Sequence, residues 1–143
     1  GLHTADDCAV WFPVERVLFV GDLFGWGLIP CMGSFTRERR HTLRSIYETL
    51  LALDPATVVP GHGPLCSAAE LQRFAEYVDW VVERVASAEN AAEGDITVDR
   101  AAADVPPPAD MDAWWRFAEW KHAENVRKIV KARRRSASLR GAG

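Results

Sequence analysis

Val17-Leu18-Phe19-Val20-Gly21-Asp22 is the stretch that decides how this chain reads. Four apolar residues run unbroken, β-branched or aromatic for the most part, as in a strand buried on both faces. The run ends on a glycine and a lone carboxylate. A carboxylate at the tip of a core strand sits on fixed backbone at the edge of the interior, which suits a metal ligand or a general base. Two further strand-like pieces carry a histidine at one end. His3 precedes the apolar run Cys8–Phe12, and His62 follows Thr57–Pro60.

Outward from that stretch, Pro13-Val14-Glu15-Arg16 reads as a tight turn, so Cys8–Phe12 and Val17–Val20 form a hairpin. Downstream, Gly25, Gly27, Pro30 and Gly33 break regular structure through Ser34. The loop that holds Phe24, Trp26, Leu28 and Ile29 is unusually apolar and is expected to cover a pocket or plug a core. Leu43, Ile46, Tyr47, Leu50 and Leu51 recur at helical spacing, predicting a helix from about Thr36 to Leu53 that Asp54-Pro55 stops. Ser67 and Glu70 form a capping-box pattern for a second helix, whose buried face is Leu71, Phe74, Val78, Val81 or Val82, and Val85. A thinning, alanine-rich stretch leads to a short helix at Val98–Ala103, and Pro106-Pro107-Pro108 then forces extended backbone. The last helix is expected to start near Asp110, with Met111, Trp114, Trp115, Ala118, Val126, Ile129 and Val130 as its apolar stripe. His122 and Asn125 fall on the same stripe.

The totals fit one domain with a real core: 143 residues, 48% hydrophobic and 26% charged. No apolar run approaches the roughly 20 residues that cross a bilayer. No basic segment followed by an apolar stretch opens the sequence, and three cysteines (Cys8, Cys31, Cys66) make no disulfide framework, so a cytoplasmic protein with reduced thiols is expected. The net charge of -3 hides a basic end. Lys121 to Gly143 holds eight Lys or Arg and one acid. The preferred reading is a solvated helix face plus a frayed tail from Arg133, because no aromatic residues interleave the basic run; nucleic acid is not expected as a partner.

Imidazole and carboxylate together suit zinc, manganese or iron, yet a catalytic site needs about three protein ligands per ion. The glycines flanking His62 keep its imidazole unobstructed, and Gly21 does the same for Asp22. Other candidates are weaker. Cys66 follows His62 by four residues and Cys8 follows His3 by five, but no Cys-x-x-Cys pair supports a zinc site and buried thiols are preferred. His122 is expected to be a hydrogen-bonded core residue and His41, within Arg39-Arg40-His41, solvated surface. Trp26 reads as a substrate-side wall or as core filler.

His3-Thr4-Ala5-Asp6-Asp7, Val17–Asp22 and Val58–Gly63 together resemble, in order, spacing and flanking strands, the second half of a metallo-β-lactamase superfamily domain. The resemblance runs from about residue 1 to 66. It implies an α/β fold that is half of an αββα sandwich: a short mixed sheet with helices on one face, plus a helical C-terminal extension. Residues 1–90 would form that half-domain, 91–109 a linker with a short helix, and 110–143 the last helix and basic tail. It also implies metal ligands: His3 as the third ligand of a first metal, Asp22 as the carboxylate bridging two metals, His62 as the last ligand of the second. Zinc is the implied cofactor, two ions in an intact domain, with Asp22 the catalytic carboxylate and Phe24, Trp26 and Leu28 on a substrate-side loop.

The family's His-x-His-x-Asp-His signature, which supplies most of both coordination shells, is absent from these residues. The expectation is therefore a fragment of a metal-dependent hydrolase. In the full-length parent, a metal-bound hydroxide would attack an ester, amide or thioester-type bond of a small molecule, and the fragment alone would be inactive and bind zinc weakly or not at all. The rival reading is a metal-free, self-associating interaction module without catalysis. Self-association is expected on either view, because half of a sandwich leaves a sheet face without its partner layer.

Overall fold

The computed structural model describes residues 6–25, 35–92, 97–114 and 118–141. Strand β1 (Val10–Phe12) turns through residues 13–16 into β2 (Val17–Gly25), and β3 (Thr57–His62) completes the sheet in the order β1-β2-β3. The hairpin pairs Val10 with Phe19 and Phe12 with Val17, antiparallel; β3 runs parallel to β2, with Leu18 facing Val58. The connection between the two parallel strands is α1 (Arg37–Ala52), as a parallel crossover requires. This is the mixed α/β half-layer implied by the resemblance, followed by a helical extension.

Local chemistry sets the helix ends where the pattern put them. The Thr36 hydroxyl accepts from the Arg39 amide at the start of α1. At α2 (Ala68–Ala91) Ser67 and Glu70 form the reciprocal capping box, with the Glu70 carboxylate 2.8 Å from the Ser67 amide. The Ser67 hydroxyl, which donates to the same carboxylate at 2.5 Å, is the main cause that holds the Glu70 carboxyl below its usual range, with the Ser67 amide adding to it. Between α1 and β3 the chain turns at Asp54, whose φ of 54° lies in the left-handed region, as does Arg16 at φ 53°. The two strained turns are tied together: the Arg16 guanidinium donates to the Asp54 carbonyl at 2.6 Å and to its carboxylate at 2.5 Å.

The expected burial of Val17–Val20 on both faces is corrected. Leu18 and Val20 are fully buried against α1 and α2, whereas Phe19 is 42% exposed on the opposite face. Strand residues alternate sides, and the helices cover one side only. On the open side Phe19 lies beside Phe12, ring centroids 5.7 Å apart, with Val10 also exposed. The inner side joins Leu18, Val20, Phe24 and Val58 to Leu43, Tyr47 and Leu50 of α1 and to Leu71, Phe74, Val78 and Val81 of α2.

Two further expectations change. The last helix does not start near Asp110: a short 3-10 helix (Ala109–Trp114) comes first, and α4 spans Ala118–Gly141. The frayed tail expected from Arg133 is helical instead, and Arg133 itself reaches back to Glu89 of α2 at 2.5 Å. The segment around α3 (Val98–Asp104) packs on its neighbours, with Ala101, Val105 and Met111 buried in one cluster with α2 and α4. His122, Asn125, Val126, Ile129 and Val130 form the buried stripe of α4.

That stripe carries a buried polar chain. His122 contacts the Val105 carbonyl through Nε2 at 2.8 Å and the Tyr77 hydroxyl through Nδ1 at 2.9 Å. The carbonyl only accepts, so Nε2 carries the proton, Nδ1 accepts, and Tyr77 donates to it. Asn125 Nδ2 in turn donates to Tyr77 at 3.3 Å. Burial pushes the His122 imidazole below its ordinary pKa, against the opposing pull of the Val105 carbonyl.

Candidate functional site

Asp22 and His62 reach the same point from neighbouring strands. The Asp22 Oδ1 and His62 Nε2 atoms lie 3.3 Å apart, with side chains 45% and 64% exposed. Parallel pairing of β2 with β3 brings two residues 40 positions apart in sequence to one sheet end.

The ladder is irregular where the site begins. Gly21 faces Pro60 and Gly25 faces His62, so Asp22, Leu23 and Phe24 stand opposite Gly61 alone. The strand therefore does not end at Asp22 as the sequence suggests; it bulges there and runs on to Gly25. Gly21 enters the bulge at φ 51°, a conformation that glycine adopts without steric cost. Gly61 serves a different purpose. A Cβ on it would lie 2.3 Å from Asp22 Oδ1 and 2.6 Å from the Gly21 carbonyl carbon. The carboxylate thus rests directly on bare backbone, in a cradle that any side chain at Gly61 would fill.

These donors fit a metal as a pair. With ligand distances of about 2.0–2.1 Å, two ligands of a tetrahedral zinc shell are separated by about 3.3 Å. Among the described residues no group of three or more His, Cys, Asp or Glu could hold an ion. His3, Trp26 and Leu28 lie outside the described residues, as does Cys31.

Phe24 belongs to β2 and is fully buried, meeting Phe74 edge-to-face at 5.0 Å, so of the two expectations for this apolar stretch, covering a pocket or plugging a core, it takes the second. Cys66 is half-buried, with its thiol 3.7 Å from the Val58 carbonyl, and burial together with Glu70 pushes its pKa up to about 12. Cys8 is exposed, against the expectation of a buried thiol. His41 is exposed on α1 and His122 is in the core. A groove of about 450 Å³ between α1 and α2, floored by Leu43, Tyr47 and Val78, includes neither Asp22 nor His62.

Sequence reasoning missed two supports of the site. Gly61 was legible only as a turn glycine, because its steric role needs the register with Gly21. Tyr47 read as one more residue on an apolar stripe, yet its buried hydroxyl donates to the Leu23 carbonyl beside Asp22.

Residues 1–62 match the family profile described as the metallo-beta-lactamase superfamily. A protein of Caenorhabditis elegans described as "Beta-lactamase-like protein 2 homolog" is 29% identical over 82 residues, covering 57% of this chain. The aligned part amounts to 26% of that relative, so the chain spans about a quarter of its length. No described helix is long and apolar enough to cross a membrane.

Proposed function

We propose that this chain, a metallo-β-lactamase superfamily member through residues 1–62, is the C-terminal part of a divalent-metal hydrolase and contributes one wall of its metal centre. The observation that carries the reading is the Asp22–His62 pair, 3.3 Å apart over the backbone of Gly61. Asp22 and His62 would hold metal, zinc by preference, with His3 a further ligand. When bound, such an ion supplies an activated water and a Lewis acid for attack on an ester, amide or thioester-type bond.

The chain's own residues do the rest. Asp22 presents its carboxylate from a bulge anchored by buried Leu23 and Phe24, where it would hold metal and orient the attacking oxygen. His62 offers Nε2 from the last position of β3, where no side chain on Gly61 or Gly63 obstructs it. Two such residues make an incomplete shell, and the His-x-His-x-Asp-His motif of the family would complete it from the remainder of the parent. The substrate is a small molecule on this reading, and the reduced thiols suit a cytoplasmic setting. A second reading, a metal-free module that pairs with another copy, is favoured by the exposed apolar face of Val10, Phe12 and Phe19.

The test is Asp22→Ala in the full-length parent. Metal content and turnover of a generic ester or lactam should both collapse, while the melting temperature of the metal-free protein holds or rises, since the carboxylate fills no cavity. The isolated chain, dialysed, should retain well under one zinc per molecule. Full turnover and full metal in Asp22→Ala would refute the assignment.

A further inference from the structure

The bulge that carries Asp22 has little ladder support. Three residues of β2 oppose one of β3, so most of the backbone from Asp22 to Phe24 lies outside the regular cross-strand pairing. Yet the Asp22 carboxylate must stay within reach of His62 for the pair to act together. The structure supplies a tether from another element. Tyr47 of α1 is 1% exposed, and its hydroxyl donates to the carbonyl of Leu23, the residue next to Asp22. Its ring lies 5.6 Å from that of Phe74, the same ring that receives Phe24 edge-on at 5.0 Å. The bulge is therefore gripped twice, by an aromatic contact on Phe24 and a hydrogen bond on Leu23. Burial pushes the phenol well above its ordinary pKa, which keeps the hydroxyl a donor throughout the working range.

We propose that Tyr47 is a positioning residue for the Asp22–His62 pair, its hydroxyl fixing the Leu23 carbonyl so that Asp22 stays over Gly61 and facing His62. The inference rests on the reading of that pair as metal ligands. It separates two roles of one side chain: the ring serves the core, and the hydroxyl serves the site. Groups that orient a ligand from outside the coordination shell typically contribute 10- to 100-fold to metal affinity. Tyr47 acts through one intervening peptide unit, so the low end, about tenfold, is expected.

The experiment is a calorimetric zinc titration of the metal-stripped full-length parent as wild type, Tyr47→Phe, Asp22→Ala, the double variant and Val85→Ala. Tyr47→Phe keeps the ring and removes only the hydroxyl. It should weaken zinc binding about tenfold, Asp22→Ala should weaken it at least as much, and the double variant should bind no worse than Asp22→Ala alone. Any loss of melting temperature from Tyr47→Phe should persist in the Asp22→Ala background, which a purely structural role shares; the vanishing of its zinc effect there is what that role does not predict. Val85→Ala loosens the same core with both grips on the bulge intact and should leave zinc affinity within about twofold. An unchanged affinity in Tyr47→Phe, beside a weakened Asp22→Ala, overturns the positioning role alone. An equal loss in Val85→Ala overturns it as general loosening. Unchanged affinity in Asp22→Ala overturns the metal reading and this inference with it. A measurement without variants guards against misfolding: zinc added to the wild type must shift the carbonyl carbon resonance of Leu23, and a silent resonance counts as refutation.

Discussion

Replacing Tyr77 by phenylalanine removes one oxygen atom from the centre of the helical part of the molecule. That oxygen donates to His122 Nδ1 at 2.9 Å and accepts from Asn125 Nδ2 at 3.3 Å. His122 cannot repair the loss by switching tautomer, because its Nε2 proton is committed to the Val105 carbonyl at 2.8 Å. His122 and Asn125 are 2% and 0% exposed, so water does not reach the vacated positions without a cavity opening. Each buried group that loses its partner costs about 1–3 kcal/mol. The variant no longer buries a hydroxyl, which returns about 1–3 kcal/mol. The net loss is about 1–3 kcal/mol. For a chain of 143 residues the unfolding entropy is about 0.3 kcal/mol per degree, so the melting temperature should fall by about 3–10 °C. Thermal unfolding followed by circular dichroism at pH 7.5 measures it. A pH series adds an independent check of the same chain of bonds. His122 is held neutral in the fold, below its unfolded value of 6.5. The unfolded state then binds the extra proton first, so the contribution is complete above about 6.5 and is lost as pH falls from there toward the lower folded value. A Tyr77→Phe loss under about 0.5 kcal/mol would show that the chain is not satisfied as described.

Gly61→Ala should be far more damaging than an alanine usually is in a strand, because its Cβ would meet the Gly21 carbonyl at 2.6–2.7 Å as well as the Asp22 oxygen. Two of the three contacts are backbone, so β2 must shift; loss of zinc binding alongside a lowered melting temperature is expected, and a variant equal to wild type in both counts against the cradle. The open sheet face should drive self-association, with Phe19→Ser favouring monomer in light scattering, while a wild type that is monomeric at high concentration speaks against it.

Much of the fold was legible in the sequence because its signals are local. The capping box at Ser67 and Glu70, the stop at Asp54-Pro55 and the apolar spacing of α1 and α2 depend on residues within one or two turns of each other. His122 could be assigned to the core on the same ground, since helical period alone puts it beside Val126 and Ile129. Residue type and strand ends likewise singled out Asp22 and His62, and the order of the pieces carried the family resemblance.

What the sequence could not decide is everything that depends on one element meeting another. Whether Phe19 is covered depends on which side of the sheet the helices take, and a run of apolar residues reads alike for one buried face or two. Phe24 looked like a pocket residue because it sits among glycines; only the extension of β2 past Asp22 and the presence of Phe74 across the core turn it inward. The proline triplet and its neighbours read as a linker because extended backbone has no periodicity, yet Val105 supplies a carbonyl to His122 from that very segment. The separation of Asp22 from His62 is set by the parallel register of β2 and β3 and by the bulge over Gly61. Composition and periodicity fix which face each residue takes within its own element; distance between residues 40 apart in the chain arises only when hydrogen-bond register and core packing close the loop between them.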